Sequence, residues 1–135
     1  MRYVALIDGG PGAYGVVVPD LPGCTSAAAT TDKALRRAVE AVRLWPEDAL
    51  ADGEKLPKPR SAEAVRRDPE VAAALARGAA LAFVPLLRDT GRPAKVNLSI
   101  DEGLRDAIDD AAEAHGLTRS AFMASAAREK IANQG

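Results

Sequence analysis

The chain has 135 residues, of which 47% are hydrophobic and 27% charged, and this size excludes a large enzyme core and suits one or two small domains. Its formal net charge of −1 excludes a global positive field that would draw the chain to nucleic acid, so any DNA contact must come from a local arrangement of charges. The single cysteine, Cys24, cannot form an internal disulfide, and no apolar run reaches the length of a signal peptide or a membrane span, so we expect a cytoplasmic protein with no membrane partner.

The first elements predicted along the chain are the two strands of a hairpin. Residues 3–7 and 14–18 are apolar and rich in strand-forming side chains. The intervening segment 8–12 contains three glycines and one proline, which is typical of a sharp turn, and Asp8 is expected to belong to that turn. Segment 19–24 contains two prolines, which lack the amide hydrogen that a strand ladder needs, so the second strand should end there.

An amphipathic helix is predicted after the hairpin. Thr30 or Thr31 should cap its first turn, because a threonine hydroxyl accepts the free amide hydrogens there. Apolar residues then recur at helical spacing, and charged residues occupy the opposite face. Pro46 should end or kink this helix, and the adjacent Trp45 is interpreted as a core or hinge residue rather than a partner anchor. Residues 54–61 follow as an exposed connector.

A second, alanine-rich helix is predicted over residues 62–77, with a break at Pro69 and a glycine cap at its end. Residues 79–87 form a further apolar run, which we interpret as a strand that joins the first hairpin in one sheet. Pro85 within this run favours a position at the sheet edge. Residues 89–93 are polar and contain turn formers, so they are expected to be a linker.

Residues 94–100 alternate strictly between polar and apolar side chains, which predicts a strand with two different faces. The apolar side chains on one face are Val96, Leu98 and Ile100. The polar side chains on the other face are Lys95, Asn97 and Ser99. Two helices should follow, the first capped by Ser99 or Asp101, with Ser99 and Glu102 spaced as a capping box, and the second beginning at Thr118.

This strand and its two helices cannot enclose a core alone, because both strand edges stay bare and the apolar face stays uncovered. Two copies would solve the problem by pairing their strands antiparallel over four helices. Residues 94–135 resemble the ribbon-helix-helix family over roughly its full length, through the strand KVNLSI, the helix junction AHGLTRS and the apolar spacing of the last helix. The resemblance implies an intertwined homodimer, with a tetramer left open, that places a two-stranded ribbon in the major groove of DNA.

The resemblance also implies two sets of DNA contacts. The residues that would read base edges from the ribbon are Lys95, Asn97 and Ser99. The residues that would hold a backbone phosphate are Thr118, Arg119 and Ser120. A half-exposed strand and a simple helix cap would explain the same pattern, and residues 91–135 carry six Lys or Arg against seven Asp or Glu, which opposes strong DNA affinity. However, the acidic residues fall mostly on the first of the two helices, which in this family lies away from the groove.

The front of the chain carries a second set of matching stretches, which read RYVALID, YGVVVPDLPGC, TTDKALRRAVEAV and DGEKLPKP. On these stretches, residues 1–88 resemble the N-terminal domain of HicB antitoxins, whose fold is a reduced ribonuclease H core. We therefore expect an α+β protein, with a small antiparallel sheet and a packed helix in front and the strand-helix-helix segment behind. Residues 62–78 fit the family pattern less well, which leaves the path between the long helix and the last strand open.

Together the two resemblances imply an antitoxin of a type II HicA/HicB-like system. Residues 1–88 would bind and cover a HicA-like toxin that cleaves RNA, while residues 94–135 would dimerise and bind operator DNA, so that the protein represses its own operon. The residues expected to touch the toxin are Asp20, Leu21, Pro22 and Gly23. Such a protein is not an enzyme and needs no cofactor and no metal.

Two other functions stay open. A stand-alone ribbon-helix-helix repressor would carry a front domain that senses a small ligand, and a neighbouring gene for a short basic protein would argue against it. A ribonuclease H-like enzyme would need several carboxylates at adjacent strand ends, where the sequence places only Asp8 and Asp20. Asp8 is more simply a turn residue and Asp20 a cap of its own loop. With His115 as the single histidine and one cysteine, a metal site is not expected.

Overall fold

A computed structural model describes residues 1–51, 53 and 55–133, with the backbone alone described for residues 47–51. The matching stretch DGEKLPKP and the predicted connector 54–61 therefore fall partly outside the described residues, at positions 52 and 54. The chain divides into two compact units, Met1–Arg88 and a second that begins at Asp89. Among the described helices, none combines the length and the apolar character that crossing a membrane requires.

The first unit is built on a four-stranded antiparallel sheet in the order β3-β2-β1-β4. Its strands are β1 (Arg2–Gly10), β2 (Ala13–Val17), β3 (Thr25–Ala28) and β4 (Ala80–Pro85). Its helices are α1 (Thr31–Ala51), α2 (Ala62–Arg66) and α3 (Pro69–Ala76). The expected α+β class, with a small antiparallel sheet and a packed helix, is confirmed, and β4 lies at the sheet edge as the proline in it indicated.

The hairpin turn is shorter than the glycine content predicts. β1 continues to Gly10, which pairs with Ala13, so only two residues connect the strands. Asp8 therefore lies in a strand opposite Gly15, and its interpretation as a turn residue is wrong. Gly9 makes the close pairing possible, because its φ is +100° and a Cβ atom there would lie 2.2 Å from the carbonyl oxygen of Ala13.

Strand β3 is absent from the sequence-based prediction, which assigned its residues to the approach of the long helix. Its composition, TSAA, lacks the β-branched and aromatic run that marks β1 and β2. Pairing with β2 nevertheless holds it, through the register from Val17–Thr25 to Tyr14–Ala28. The hydroxyl of Ser26 donates a 2.8 Å hydrogen bond to the carbonyl of Ala34, which joins this edge strand to the long helix.

The start of helix α1 agrees with the prediction, and its end differs from it. Its first turn is capped as expected, since the Thr30 hydroxyl accepts a hydrogen bond from the Lys33 amide at 3.2 Å. The helix runs through Pro46 to Ala51, however, so of the two expected effects of this proline a helix end is wrong, while a kink stays a prediction. One lost backbone hydrogen bond is tolerated where the helix packs on the sheet through buried residues such as Val42.

The sheet lies between two layers of helix. Tyr3 and Ala5 of β1 face α1 in the larger apolar cluster, which also contains Leu21. The alternate residue Val4 faces the other side, where it packs with Val65 of α2 and with α3. The segment 62–78, whose role the sequence left open, therefore covers the second face of the sheet, and it is divided into two helices at the predicted proline break.

The second unit contains α4 (Glu102–Ala114) and α5 (Arg119–Ala132). Asp101 caps α4 by accepting hydrogen bonds from two backbone amides of its first turn, at 2.9 and 3.3 Å, so the capping box with Ser99 does not form. Residues 94–100 form no strand within this single chain, and all of them are exposed. The difference has a simple reason, because a strand is defined by hydrogen bonds to a second strand and the described part of this unit contains none.

Candidate functional site

The loop that carries the predicted toxin contacts is held in place by a residue that is distant in sequence. The side chain of Asp20 is only 6% exposed. It accepts hydrogen bonds from the backbone amide of Arg60 at 2.8 Å and from the Arg60 Nε at 2.6 Å. Asp20 therefore does not cap its own loop as expected, but joins that loop to the connector 40 residues later in the chain.

Arg60 also binds a second carboxylate. Its two terminal nitrogens donate to both oxygens of Asp68 at 3.0 and 2.8 Å, immediately before α3. These hydrogen bonds to Asp68 and then to Asp20 raise the pKa of Arg60, while the guanidinium holds the pKa of Asp68 below its usual range. The Arg60 side chain thus links the loop after β2 to the start of α3.

The four predicted toxin-contact residues differ in how far their side chains are exposed to solvent. Leu21 is fully buried in the core, so its side chain is a packing residue. Pro22 and Gly23 are exposed, and the carbonyl of Pro22 accepts a 2.9 Å hydrogen bond from the indole of Trp45. That contact agrees with the interpretation of Trp45 as a packing residue. Cys24 is buried, and burial raises the pKa of its thiol, as expected for a small core side chain.

A cleft of about 530 Å³ opens beside this loop. Its walls come from three elements: β1 and β2, the loop after β2, and the start of α3. Pro22 and Gly23 line it together with apolar residues of the sheet, and Asp68 and Glu70 are its charged lining residues. The exposed part of the predicted contact loop therefore forms one wall of a concave surface.

In the second unit, the predicted base-reading residues Lys95, Asn97 and Ser99 are all exposed. The alternate apolar residues are exposed as well, with 72% of Val96, 62% of Leu98 and 38% of Ile100 open to solvent. Large apolar side chains at this density are costly to leave in water. The segment thus offers one polar and one apolar row, and neither is covered within the single chain.

The predicted phosphate-binding residues begin helix α5. The Thr118 hydroxyl accepts a 3.1 Å hydrogen bond from the Ala121 amide and so caps the helix. The Arg119 guanidinium pairs with both oxygens of Asp109 at 2.8 Å each. These hydrogen bonds raise the pKa of Arg119 and lower that of Asp109. Ser120 is exposed, so of the three side chains it is the one that makes no such contact among the described residues.

Groups that would carry chemistry are sparse in the described part of the chain. No cluster of three or more His, Cys, Asp or Glu side chains that would hold a metal ion occurs there. The ring of His115 lies 3.0 Å from the Ala111 carbonyl and makes an edge contact with Phe122, so it packs across the junction of α4 and α5. These contacts give His115 a structural role at the helix end.

Comparison with known proteins points in one direction. The family model of a HicB-like antitoxin of bacterial toxin-antitoxin systems matches residues 3–127. A 14.9 kDa protein from the rep–hol intergenic region of Haemophilus phage HP1 (strain HP1c1) is 31% identical over 133 residues, which is 97% of this chain and 98% of that protein.

Two solved structures are similar as well. The crystal structure of the antitoxin HicB of Burkholderia pseudomallei is 30% identical, with a TM-score of 0.50, and the match covers 100% of this chain and 99% of that chain. A chain of the HicA3 and HicB3 toxin-antitoxin complex is 26% identical, with a TM-score of 0.53, and the match covers 64% of this chain and 98% of that chain. The first of these similarities extends over both compact units.

Proposed function

The chain belongs to the HicB-like antitoxin family, and we propose that it neutralises a HicA-like, RNA-cleaving toxin by direct binding and represses its own operon by binding operator DNA. The observation that carries the proposal is the family match over residues 3–127, which reaches into both compact units. The similarity in length and fold to a HicB antitoxin supports it. In this role the chain works in the cytoplasm by binding alone, without catalysis or a cofactor.

We assign toxin binding to residues 1–88, a linker to 89–93, and DNA binding and dimerisation to 94–135. The boundary follows the division of the chain into compact units. The similarity to a chain of the HicA3 and HicB3 complex supports a toxin partner. Within the predicted contact loop, Pro22 and Gly23 would touch the toxin, while Asp20 and Leu21 hold the loop in place through the Arg60 pair and the core.

Dimerisation through residues 94–100 would cover the apolar row and supply the missing strand partner. Pairing this segment with its copy would satisfy its free backbone groups, which otherwise depend on water. The exposed Val96, Leu98 and Ile100 would then lie between the ribbon and the helices. A homodimer is the smallest assembly that achieves this, and a tetramer would be two such dimers.

DNA binding follows from the same arrangement. Lys95, Asn97 and Ser99 would line the outer face of the ribbon and read base edges in the major groove. At the start of α5, Thr118 and Ser120 would sit next to a phosphate, with the free amides of the first turn as donors. Arg119 would contribute to this contact through its backbone in the first turn of α5, because its guanidinium is bound to Asp109.

The toxin half of the proposal is tested by co-expressing the full chain with a tagged HicA-like protein encoded beside its gene. We expect the chain to co-purify with the tagged protein at a fixed molar ratio through size-exclusion chromatography. A tagged toxin that elutes alone, with the folded chain in separate fractions, would contradict this half and leave the DNA half to be tested separately.

The DNA half is tested by a gel shift with the DNA upstream of the gene. The wild-type chain should retard this DNA, while a truncation that ends at Asp89 should not. Asn97→Ala should weaken binding by roughly 10-fold or more if the amide makes a bidentate contact with a base, which is worth about 1–3 kcal/mol. Equal retardation by the truncated chain would refute the assignment of DNA binding to the second unit.

A further inference from the structure

One face of the sheet is covered only in part. Helices α2 and α3 pack over β1 and β4 on this face, where Val4 and Leu6 of β1 belong to the smaller apolar cluster. The cross-strand neighbour of Leu6 is Val17 of β2, which lies on the same face but is 45% exposed. The helical cover therefore stops short of β2 and leaves an apolar strip open to water.

The cleft beside the loop after β2 lies where this cover stops. Leu6 and Val17 are among its lining residues from the sheet, Pro19 and Pro22 from the loop, and Val71 from α3. A small-molecule site usually buries most of its ligand's surface. The half-exposed Val17 in the wall makes this cleft too open for that, and a volume of about 530 Å³ accommodates the side chains of a docked protein segment.

The charges around the apolar strip are mostly acidic. The charged residues that line the cleft, Asp68 and Glu70, are both carboxylates. Asp68 is bound to Arg60, which also binds Asp20, so two carboxylates already share this one cation. Glu70 is exposed and has no ion pair among the described residues. Asp8 is exposed on the same sheet face, two residues after Leu6.

From this combination we propose that the cleft is the docking site for a basic protein segment, which inserts an apolar side chain against Val17 and Leu6 and places Lys or Arg beside Glu70. The apolar strip supplies the buried contact, and the uncompensated carboxylates select a partner of positive charge. The Arg60 pair with Asp20 keeps the loop wall in place before the partner arrives. The inference rests on the function proposed above, because it assigns the docked segment to the toxin.

The test is isothermal titration of the full-length chain with the HicA-like toxin in a catalytically inactive form. Val17→Lys places a charge in the apolar strip, and we expect it to weaken binding by about 10-fold or more. Glu70→Lys should weaken binding several-fold, and its effect should shrink as the salt concentration rises, because an exposed charge pair is screened. The matched controls are Val17→Ile, which keeps a branched apolar side chain, and Glu63→Lys, which places the same charge on the exposed surface of α2 outside the cleft. Both controls should bind within about twofold of the wild type.

The outcomes separate the two proposals. Tight binding by the wild type that neither Val17→Lys nor Glu70→Lys weakens would overturn the docking site while the antitoxin function stands. Absence of binding by the folded wild type would overturn both. Sedimentation of the same variants checks whether the cleft has a different occupant. If Val17→Lys changes the assembly state but not the toxin affinity, the cleft contacts a second copy of the chain. That result would also overturn the proposal.

Discussion

The homodimer proposed for the second unit makes a quantitative prediction for Leu98→Lys. In the single chain the Leu98 side chain is 62% exposed, on the apolar row of residues 94–100. Full burial of a leucine side chain contributes about 1.5–3 kcal/mol, so covering the exposed part contributes about 1–2 kcal/mol per copy. Each dimer contains two copies, and the loss is therefore about 2–4 kcal/mol, before any cost of placing the lysine charge in the interface.

This loss corresponds to a dimer dissociation constant weakened by about 30-fold to several hundred-fold. Sedimentation equilibrium over a concentration series measures it directly. The matched control is Asn97→Lys, which introduces the same side chain one position away on the polar row and should leave the dissociation constant within about threefold of the wild type. Leu98→Lys that dimerises as tightly as the wild type, or equal weakening by both variants, would show that the apolar row of residues 94–100 is not the dimer interface.

Three further predictions concern the folding stability of each unit. Gly9→Ala should lower the free energy of unfolding by more than about 1 kcal/mol, because φ is +100° and the backbone of β2 occupies the Cβ position. The control is Gly10→Ala, where a Cβ atom would have nothing within 4 Å, and it should change the free energy of unfolding by less than about 0.5 kcal/mol. Chemical denaturation compares the two variants, and equal losses would show that the Gly9 backbone is not strained by a side chain. Thr118→Ala should cost about 1 kcal/mol of stability through loss of the helix cap, and a serine at that position should restore it in the same assay. The lowered pKa of Asp109 means that its pair with Arg119 stabilises the folded state above pH about 4 and is lost as the pH falls through the folded-state pKa. The melting temperature of Arg119→Met should therefore fall less on acidification than that of the wild type, and identical pH profiles would show that the pair does not act in solution.

Local patterns were sufficient for the main elements of the first unit. The apolar, strand-forming runs and the turn residues between them predict the hairpin of β1 and β2, because adjacent strands are encoded by adjacent sequence. The apolar spacing of α1 and the proline break between α2 and α3 were readable for the same reason. Strand β3 was missed because its stability comes from pairing with β2 and packing on α1, which short alanine-rich segments do not reveal.

The candidate site depends on contacts that no local pattern encodes. Arg60 joins Asp20 and Asp68, and the first of these lies 40 residues away in sequence, so neither the burial of the Asp20 carboxylate nor its partner was predictable. The cleft exists only because α2 and α3 return over the sheet. Segment 62–78 has no helical stripe long enough to show which face of the sheet it covers, so this layer became clear only from the fold.

In the second unit, the sequence predicted the local elements but not the ion pair that joins the two helices. Its helices and the threonine start of α5 were predicted, and Gly116, which follows α4, has the positive φ of +67° that is typical of a glycine at a helix end. The strand over residues 94–100 stays a prediction, because it needs a second chain. The pairing of Arg119 with Asp109 was not foreseen, since it joins two helices across their junction at a separation of ten residues.

Direct neutralisation can be measured as RNA cleavage by the purified HicA-like toxin, titrated with the full-length chain. If the chain neutralises the toxin by binding it, cleavage should fall linearly with added chain and stop at a fixed stoichiometric ratio, and the chain alone should leave the RNA intact. Undiminished cleavage in the presence of excess folded chain would show that this protein does not neutralise the toxin by direct binding.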